Sequence, residues 1–421
     1  MILVRGAAPG TRFKLLKVSA FGYDENSGQS KMLRFETAGE SHGECLVATV
    51  AGLPAGVPIS VAAVDRELWR RQQGYGRGGR MKIETDHAEI VSGVRHSQTI
   101  GAPIAILIRN RDWQNWTEAL PVETFEGAED KKRTVTRPRP GHADLAGALK
   151  HDFRDARYIL ERASARETTA RVAAGALAKA FLSQFGIGVL SHVIAVGPVR
   201  LDRRASWDEL VALSERNDVL LGCVDPEIEQ KMKAVVDDAY RTADTVGGVF
   251  EVVAHGVPPG LGSHASWDTR LDGKIAQAIV SIQAVKGVEI GDAAQAAVEF
   301  GSRVQDTIHY DREQRSFVRG SNRAGGVEGG ITNGEDVVVR GLLKPISTLR
   351  RPLESVDLVT RAPEQASYER SDVCVVPAAG VIGESMVALV LAQAFLEKFG
   401  GDSLRETRRN FEAYLGQVRD F

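Results

Sequence analysis

Several short segments carry residue types that move protons or hold anions. GESHG at 39–43 presents Ser41 and His42 on a flexible glycine turn. RPRPGHAD at 137–144 sets His142 on a proline-stiffened, glycine-hinged turn beside Arg137, Arg139 and Asp144. Histidine titrates near neutrality, so one fixed among arginines is a candidate general acid. ERASARETT at 161–169 puts Arg162, Ser164 and Arg166 at a helix start. Backbone N–H groups and the helix dipole favour an anion there, and guanidinium forks suit phosphate or carboxylate. LLKPISTLRRP at 342–352 combines Lys344, Ser347 and Thr348 with Arg350 and Arg351, donors for a cluster of phosphate oxygens. RSDVCVVPAAGVIGE at 370–384 supplies Arg370 and Asp372 ahead of the last long helix, a pair that is as readily a plain ion pair.

Arginine gathers in islands: Arg66, Arg70, Arg71, Arg77 and Arg80; Arg133, Arg137 and Arg139; Arg154, Arg157, Arg162, Arg166 and Arg171. In a chain of formal net charge −2, such islands suit a small, highly charged anion and argue against general binding to nucleic acid. Replacing Arg166 or Arg139 with alanine is expected to weaken binding of that anion far more than folding. Cys45, Cys223 and Cys374 are dispersed, odd in number and without a CxxC, which points to neither a disulfide framework nor a zinc site. No run reaches the ~18 apolar residues of a membrane span. Residues 1–30 mix Arg5, Arg12, Lys14 and Lys17 with Gly and Ser and lack the apolar run of a secretory signal. The expectation is a cytoplasmic protein that binds no metal, no membrane and no nucleic acid.

Three motifs invite other chemistry. GESHG fits the Gly-x-Ser-x-Gly nucleophile elbow, which needs a helix after the serine. ECLVATVAGLPAGVPISV follows instead, rich in β-formers and broken by Gly52, Pro54, Gly56 and Pro58, so a serine hydrolase is set aside. Gly74, Gly76 and Gly79 in GYGRGGR have the spacing of a dinucleotide fingerprint, but no buried apolar strand precedes them and Arg-Met-Lys follows. The same run resembles an RGG-type RNA-binding segment, yet it is single and the chain is not basic.

The elements that must position these residues alternate along the chain. Strand-like runs stand at Cys45–Val50, Ile104–Ile108, Val189–Val196 and Val249–His255. A helix is predicted over Ser164–Phe185, with Ser164 as cap, Glu167 completing a capping box and Gly186 as the left-handed stop. Its Thr169, Val172, Ala173, Ala176, Leu177, Ala180 and Phe181 form one apolar face. A second long helix is predicted near Gly383–Phe399. LAKAFLSQFG at 177–186 matches LAQAFLEKFG at 391–400 in seven of ten places, which predicts a duplicated half and a pseudo-twofold α/β body. Residues 1–31 carry no clear period and read as an extension, disordered or non-native, with Met32 as a fresh start. Residues 32–421 form one catalytic domain. The glycine-rich loops at 74–80 and 320–334 carry arginine, which favours function over mere connection.

Taken together and in this order, GESHG, RPGHAD, RASARET, GGVEGGITNG, KPIST and RSDVCVVPAAGVIGE closely resemble the chorismate synthase family, from Met32 to about Gly400. The resemblance implies a β-α-β sandwich with internal pseudo-symmetry and a homotetramer. It implies elimination of phosphate from 5-enolpyruvylshikimate 3-phosphate to give chorismate, with reduced FMN as cofactor. His42 and His142 would be the acid pair, His142 protonating the flavin and His42 the leaving phosphate, with Asp372 helping the flavin take the departing hydrogen. Ser41, Arg71, Arg77, Arg139, Ser164, Arg166 and Arg370 would hold the substrate. Flavin contacts would come from Arg162, Ala163, Ser164, Gln283, Ala284, Gly329, Lys344, Pro345, Ile346, Ser347, Thr348 and Arg370. Arg71 and Arg77 suit a nicotinamide phosphate as well as the substrate, so NADPH stays open as a reductant only. A cofactor that lends electron density fits the chemistry, because the hydrogen to be lost is not acidic. The glycine-rich loops would then close over the site.

Overall fold

A computed structural model describes residues 33–78, 84–313, 315–369 and 372–421, and the structure below is that of these residues. Strands β1 (Arg34–Ala38) and β2 (Cys45–Ala51) flank the turn that carries Ser41 and His42. Helix α1 (Val61–Gln72) follows, begun by Ser60, whose hydroxyl accepts the Ala63 N–H. Strands β3 (Glu89–Ser92) and β4 (Ile104–Arg109) complete an antiparallel sheet of order β1-β2-β4-β3. Period-two patterning makes this sheet one-sided: Leu46, Ala48 and Val50 of β2 and Ile104, Ile106 and Ile108 of β4 are all buried. The register sets Leu46 opposite Ile108, Ala48 opposite Ile106 and Val50 opposite Ile104, so these pairs share one face.

Helices α2 (Asp144–His151) and α3 (Arg157–Ala163) precede the long α4 (Thr168–Ser183). A second antiparallel sheet begins with β5 (Gly188–Val196) and the short β6 (Val199–Arg200). After α5 (Pro226–Arg241) come β7 (Gly248–His255), α6 (Leu271–Val280), β8 (Val285–Ile290) and β9 (Val337–Leu343), giving the order β6-β5-β7-β9-β8. Helices α7 (Val376–Phe399) and α8 (Leu404–Asp420) close the chain. In each sheet the first two long strands are neighbours, and α1 or α6 leads to a third strand at the edge. The fourth strand inserts between the second and third, and α4 or α7 follows.

Helix α4 packs on β1, β2 and β4 on one side and along α7 on the other, while α7 packs on β5, β7 and α6. The predicted stripe is therefore only half of what α4 buries: Ala170, Ala174, Gly175 and Ala178, on the remaining faces, are buried as well. Small residues let the two helices approach, and a Cβ on Gly175 would fall 2.2 Å from the Ser385 Cβ. Phe181 and Phe395, which hold the same place in the two matching ten-residue segments, meet edge to face at 5.7 Å. Gly186 takes the predicted left-handed stop, φ +77°. The helix start differs from expectation. Ser164 caps a short 3-10 turn, Ala165–Glu167, by accepting the Arg166 N–H. Glu167 completes no capping box with Ser164, because its carboxylate is taken by Thr37, Arg171 and Gln283.

Helix α7 starts at Val376, with Pro377 in its first turn, well before the predicted Gly383. Among the described residues it is the one helix long and apolar enough to cross a bilayer, but 89% of that apolar window is buried, as in a core helix. Within it Glu384 is fully enclosed and accepts two hydrogen bonds from Arg70 at 2.7 Å and one each from Lys179 and Ser191, also at 2.7 Å. This network ties α1, α4, β5 and α7 together.

Candidate active site

Apolar stripes end in charged residues where the elements meet. On α1 the buried positions are Val64, Leu68 and then Arg71, so the spacing that builds the core carries a guanidinium inward. A cavity of about 940 Å³ opens there, large for a single small ligand, whose sites run to ~300–1,000 Å³. Its walls include Ser41, His42, Arg71, Arg77, Arg139, His142, Ala163, Ser164, Arg166, Gln283, Ala284, Lys344, Ile346, Ser347, Thr348 and Asp372. Segments more than three hundred residues apart in the chain thus converge on one space.

The GESHG turn needs Gly39 at φ +98°, where a Cβ would fall 2.3 Å from the Cys45 carbonyl oxygen. Ser41 donates its backbone N–H to the Glu161 carbonyl at 3.0 Å, and its hydroxyl lies 3.0 Å from that of Ser164. His42 bonds through Nδ1 to the Glu161 carboxylate at 2.9 Å and stacks on Trp116 at 4.0 Å. The second histidine is built alike. His142 Nδ1 is 2.5 Å from Asp144 Oδ1, and Asp144 also accepts Arg139 Nε at 2.8 Å and the Arg139 backbone N–H at 3.0 Å. Burial opposes ionisation of both carboxyls. Hydrogen bonds from His142 and Arg139 nonetheless hold Asp144 well below the usual carboxylate range, and His42 with Arg157 holds Glu161 down too.

The arginines are anchored from behind. Arg71 donates Nε to Thr168 at 3.0 Å and Nη2 to the Ala165 carbonyl at 2.9 Å. Arg166 donates Nε to Asn110 at 2.9 Å and Nη1 to Asp86 at 2.5 Å. Arg71 Nη1 and Arg166 Nη2 are buried with no hydrogen-bond acceptor. The carboxylates nearest them are Asp86 at 3.8 Å and Glu84 at 3.7 Å. Burial pushes Arg71 down to about 9, Asp86 working against this and Arg166 and Arg77 adding to it. Cations crowded in this way favour a bound anion.

Asp372 accepts the Gly78 N–H at 2.5 Å and pairs with Arg77 at 3.4 Å, docking the first glycine-rich loop on the segment before α7. Lys344 Nζ donates to the Gly141 carbonyl at 2.5 Å and Arg139 Nη1 to Thr348 at 2.8 Å, so the lysine turn braces the His142 turn. Gln283 gives Nε2 to Glu167 at 3.2 Å and keeps a buried Oε1 without a partner. Ala284 holds a left-handed φ of +67° that alanine rarely adopts. An unpaired acceptor, an unusual backbone and a lysine–hydroxyl turn together suit a polar, phosphate-bearing cofactor.

Some expected residues lie elsewhere. Arg162 points away, donating to the Thr37 and Gly39 carbonyls, and lines a neighbouring open groove. One residue is about 100° of helical turn, so with Glu161 facing His42 its successor must face β1. Pro345 does not line the cavity and backs on Gly247, where a Cβ would fall 2.9 Å from the proline nitrogen. Gly329 sits outside it, in a tight ribbon formed by Val327–Glu328 and Ile331–Thr332, and the second glycine-rich loop does not border the cavity. Gly326 serves backbone packing there: a Cβ on it would fall 2.4 Å from the Asp336 carbonyl oxygen. Arg370, Gly79 and Arg80 lie outside the described residues. Sequence reasoning assigned no role to Trp116, Glu161, Asp86, Glu84 or Glu369. Arg133 and Arg157 were legible only as members of islands, although both stand over the Trp116 ring, at 4.2 and 5.2 Å.

The sequence pattern of the chorismate synthase family matches residues 33–396. A chorismate synthase from Solibacter usitatus is 78% identical over 390 residues, covering 93% of this chain and all of the relative. One from Koribacter versatilis is 66% identical, with the same coverage of each chain. A crystal structure of a chorismate synthase aligns with a TM-score of 0.74 and 43% identity, covering 93% of this chain and 99% of that one. The chain therefore belongs to the chorismate synthase family of lyases.

Proposed function

We propose that the cavity performs the anti-1,4-elimination of phosphate and a hydrogen from 5-enolpyruvylshikimate 3-phosphate, giving chorismate with reduced FMN and no net redox change. The observation that carries this is the pair of buried guanidinium groups, Arg71 Nη1 and Arg166 Nη2, without hydrogen-bond acceptors beside two carboxylate-backed histidines. A C–O bond and a C–H bond must break, and the fragments are a phosphate and a proton. Arg71, Arg77, Arg139, Arg166, Ser41 and Ser164 hold the anionic substrate, and Arg139, bonded to Asp144 and Thr348, also steadies the His142 turn. His42 delivers a proton from Nε2 to the departing phosphate. His142 holds a proton at Nε2, and Asp372 serves the departure of the ring hydrogen. Ala163, Ser164, Gln283, Ala284, Lys344, Ile346, Ser347 and Thr348 would hold FMN, and Arg370 is assigned to both ligands. Bound by these residues, reduced FMN would supply transient electron density for the C–O cleavage.

We extend the proposal to a β-α-β sandwich with an internal pseudo-twofold repeat, supported by the shared strand order of the two sheets and the Phe181–Phe395 contact. A homotetramer is supported by exposed Phe300, Ile308, Phe317 and Phe421. A cytoplasmic setting is supported by three free cysteines. NADPH, as reductant only, remains assigned to Arg71 and Arg77. The test is anaerobic phosphate release with dithionite-reduced FMN. His42→Ala and His142→Ala should each lower turnover ~10²–10⁴-fold, with flavin and substrate affinity little changed. Absence of phosphate release by the unaltered enzyme would refute the assignment.

A further inference from the structure

We propose that Glu161 is a positioning residue that fixes the Nδ1–H tautomer of His42 and aims Nε2 into the cavity, an inference that rests on His42 being the proton donor. Glu161 holds the histidine by three contacts. Its Oε1 and Oε2 lie 2.9 and 3.1 Å from Nδ1, and Oε2 accepts the His42 backbone N–H at 2.7 Å. A carboxylate only accepts, so Nδ1 carries the proton and Nε2 is the nitrogen left for exchange. Trp116 lies against the ring face at 4.0 Å and 24°, which blocks rotation of the imidazole.

The charges around this pair come from several segments. From α3, Arg157 Nη1 lies 3.3 Å from Glu161, and Arg157 Nη2 lies 2.9 Å from Glu369. Arg133 stands 4.2 Å over Trp116, whose ring N–H donates to Asp112 at 3.1 Å. Asp144 backs His142 in the same manner, with Arg139 in the place of Arg157. With Nδ1–H held, Nε2 can give up a proton only from the imidazolium, which the carboxylate stabilises. The proton passes to the phosphate oxygen, the ring is left neutral, and Nε2 takes a proton back from water before the next turnover.

A double-mutant cycle in the full-length, flavin-loaded enzyme separates this role from a purely structural one. Single-turnover phosphate release is measured for Glu161→Gln, His42→Ala and the double variant. Glu161→Gln should slow turnover at least ~10-fold, change KM and flavin affinity little, and move the alkaline limb of the pH–turnover profile towards acid. The double variant should be no slower than His42→Ala alone, since the carboxylate acts through the ring, and Glu161→Asp should regain part of the rate. An extra loss in the double variant, or a loss confined to KM, overturns the role of Glu161 while leaving that of His42 intact. A normal rate in His42→Ala overturns both. If Glu161→Gln fails to fold, Glu161→Asp decides, because it keeps the negative charge beside Arg157 while lengthening the reach to Nδ1. Slowed turnover with normal flavin binding supports the role, and a wild-type rate overturns it.

Discussion

Replacing Arg166 with alanine should damage folding and binding together, contrary to what the sequence suggested. The side chain is enclosed and holds Asp86 at 2.5 Å, with Glu84 at 3.7 Å. Those carboxylates are 0% and 1% exposed, so removing the cation takes from buried Asp86 its nearest charged partner and from Glu84 a neighbouring positive charge. Breaking a buried pair from one side costs about 3–5 kcal/mol. Arg71, 3.8 Å from Asp86, relieves part of this, which favours the lower end. At about 2.1 cal/mol/K per residue, 421 residues give an unfolding entropy of roughly 0.9 kcal/mol/K, so the Tm should fall by about 3–6 °C. Loss of the charged contact to the substrate should cost a further ~1.5–3 kcal/mol in binding, or roughly one to two decades in affinity. Thermal unfolding followed by circular dichroism reads the first effect, and equilibrium binding of substrate to the flavin-loaded enzyme reads the second. Adding Asp86→Ala should restore much of the Tm but none of the affinity. A Tm within a degree of wild type in the single variant, or unchanged substrate affinity, would refute the reasoning.

Glu384 links stability to acid. Burial opposes its ionisation, but Arg70 and Lys179 hold it down to about 2, below the ~4.3 of an unfolded glutamate. A depressed folded value contributes stability that is complete above about pH 4.3 and lost as pH falls towards 2, so Glu384→Gln should flatten that part of the acid denaturation curve; an unchanged slope would exclude the carboxylate as its source. Gly175→Ala should destabilise by about 1–3 kcal/mol through overpacking, because its Cβ would meet Ser385. Adding Ser385→Gly should recover part of that in urea unfolding, and no recovery would place the clash elsewhere. A chain beginning at Met32 should keep full turnover, since the family match begins at residue 33. A clear loss of rate would show that the leader contributes to the enzyme.

The elements were legible because they rest on local patterns. Strand-like runs at Cys45–Val50 and Ile104–Ile108 marked β2 and β4, and glycine at 186 marked the end of α4 by its backbone alone. Residues able to donate protons or hold anions were recognisable by type, and most of the predicted ligand residues line one cavity. The local code failed where a second surface was involved. The far side of α4 is built mostly of small residues, Gly175 and Ala178 beside Leu182, so its contact with α7 was not read from the sequence. Glu167 stood at the capping-box position, yet Thr37, Arg171 and Gln283 offered its carboxylate better partners. Arg162 was read as an anion holder from its place at a helix start and from the resemblance, and the helical turn sends it away from the cavity.

Chemical capacity was thus set by sequence: which groups can donate protons, which can hold anions, and where glycine permits a tight turn. Only the tertiary structure decided how those groups are held. Glu161 reaches His42 across 119 positions, Asp86 reaches Arg166 across 80, and Thr348 reaches Arg139 across 209. No spacing rule connects such pairs, because their proximity follows from how α3, α4 and the two sheets pack. The low-dielectric interior that packing creates makes each pair matter, since a buried charge must find its partner there while an exposed one has water.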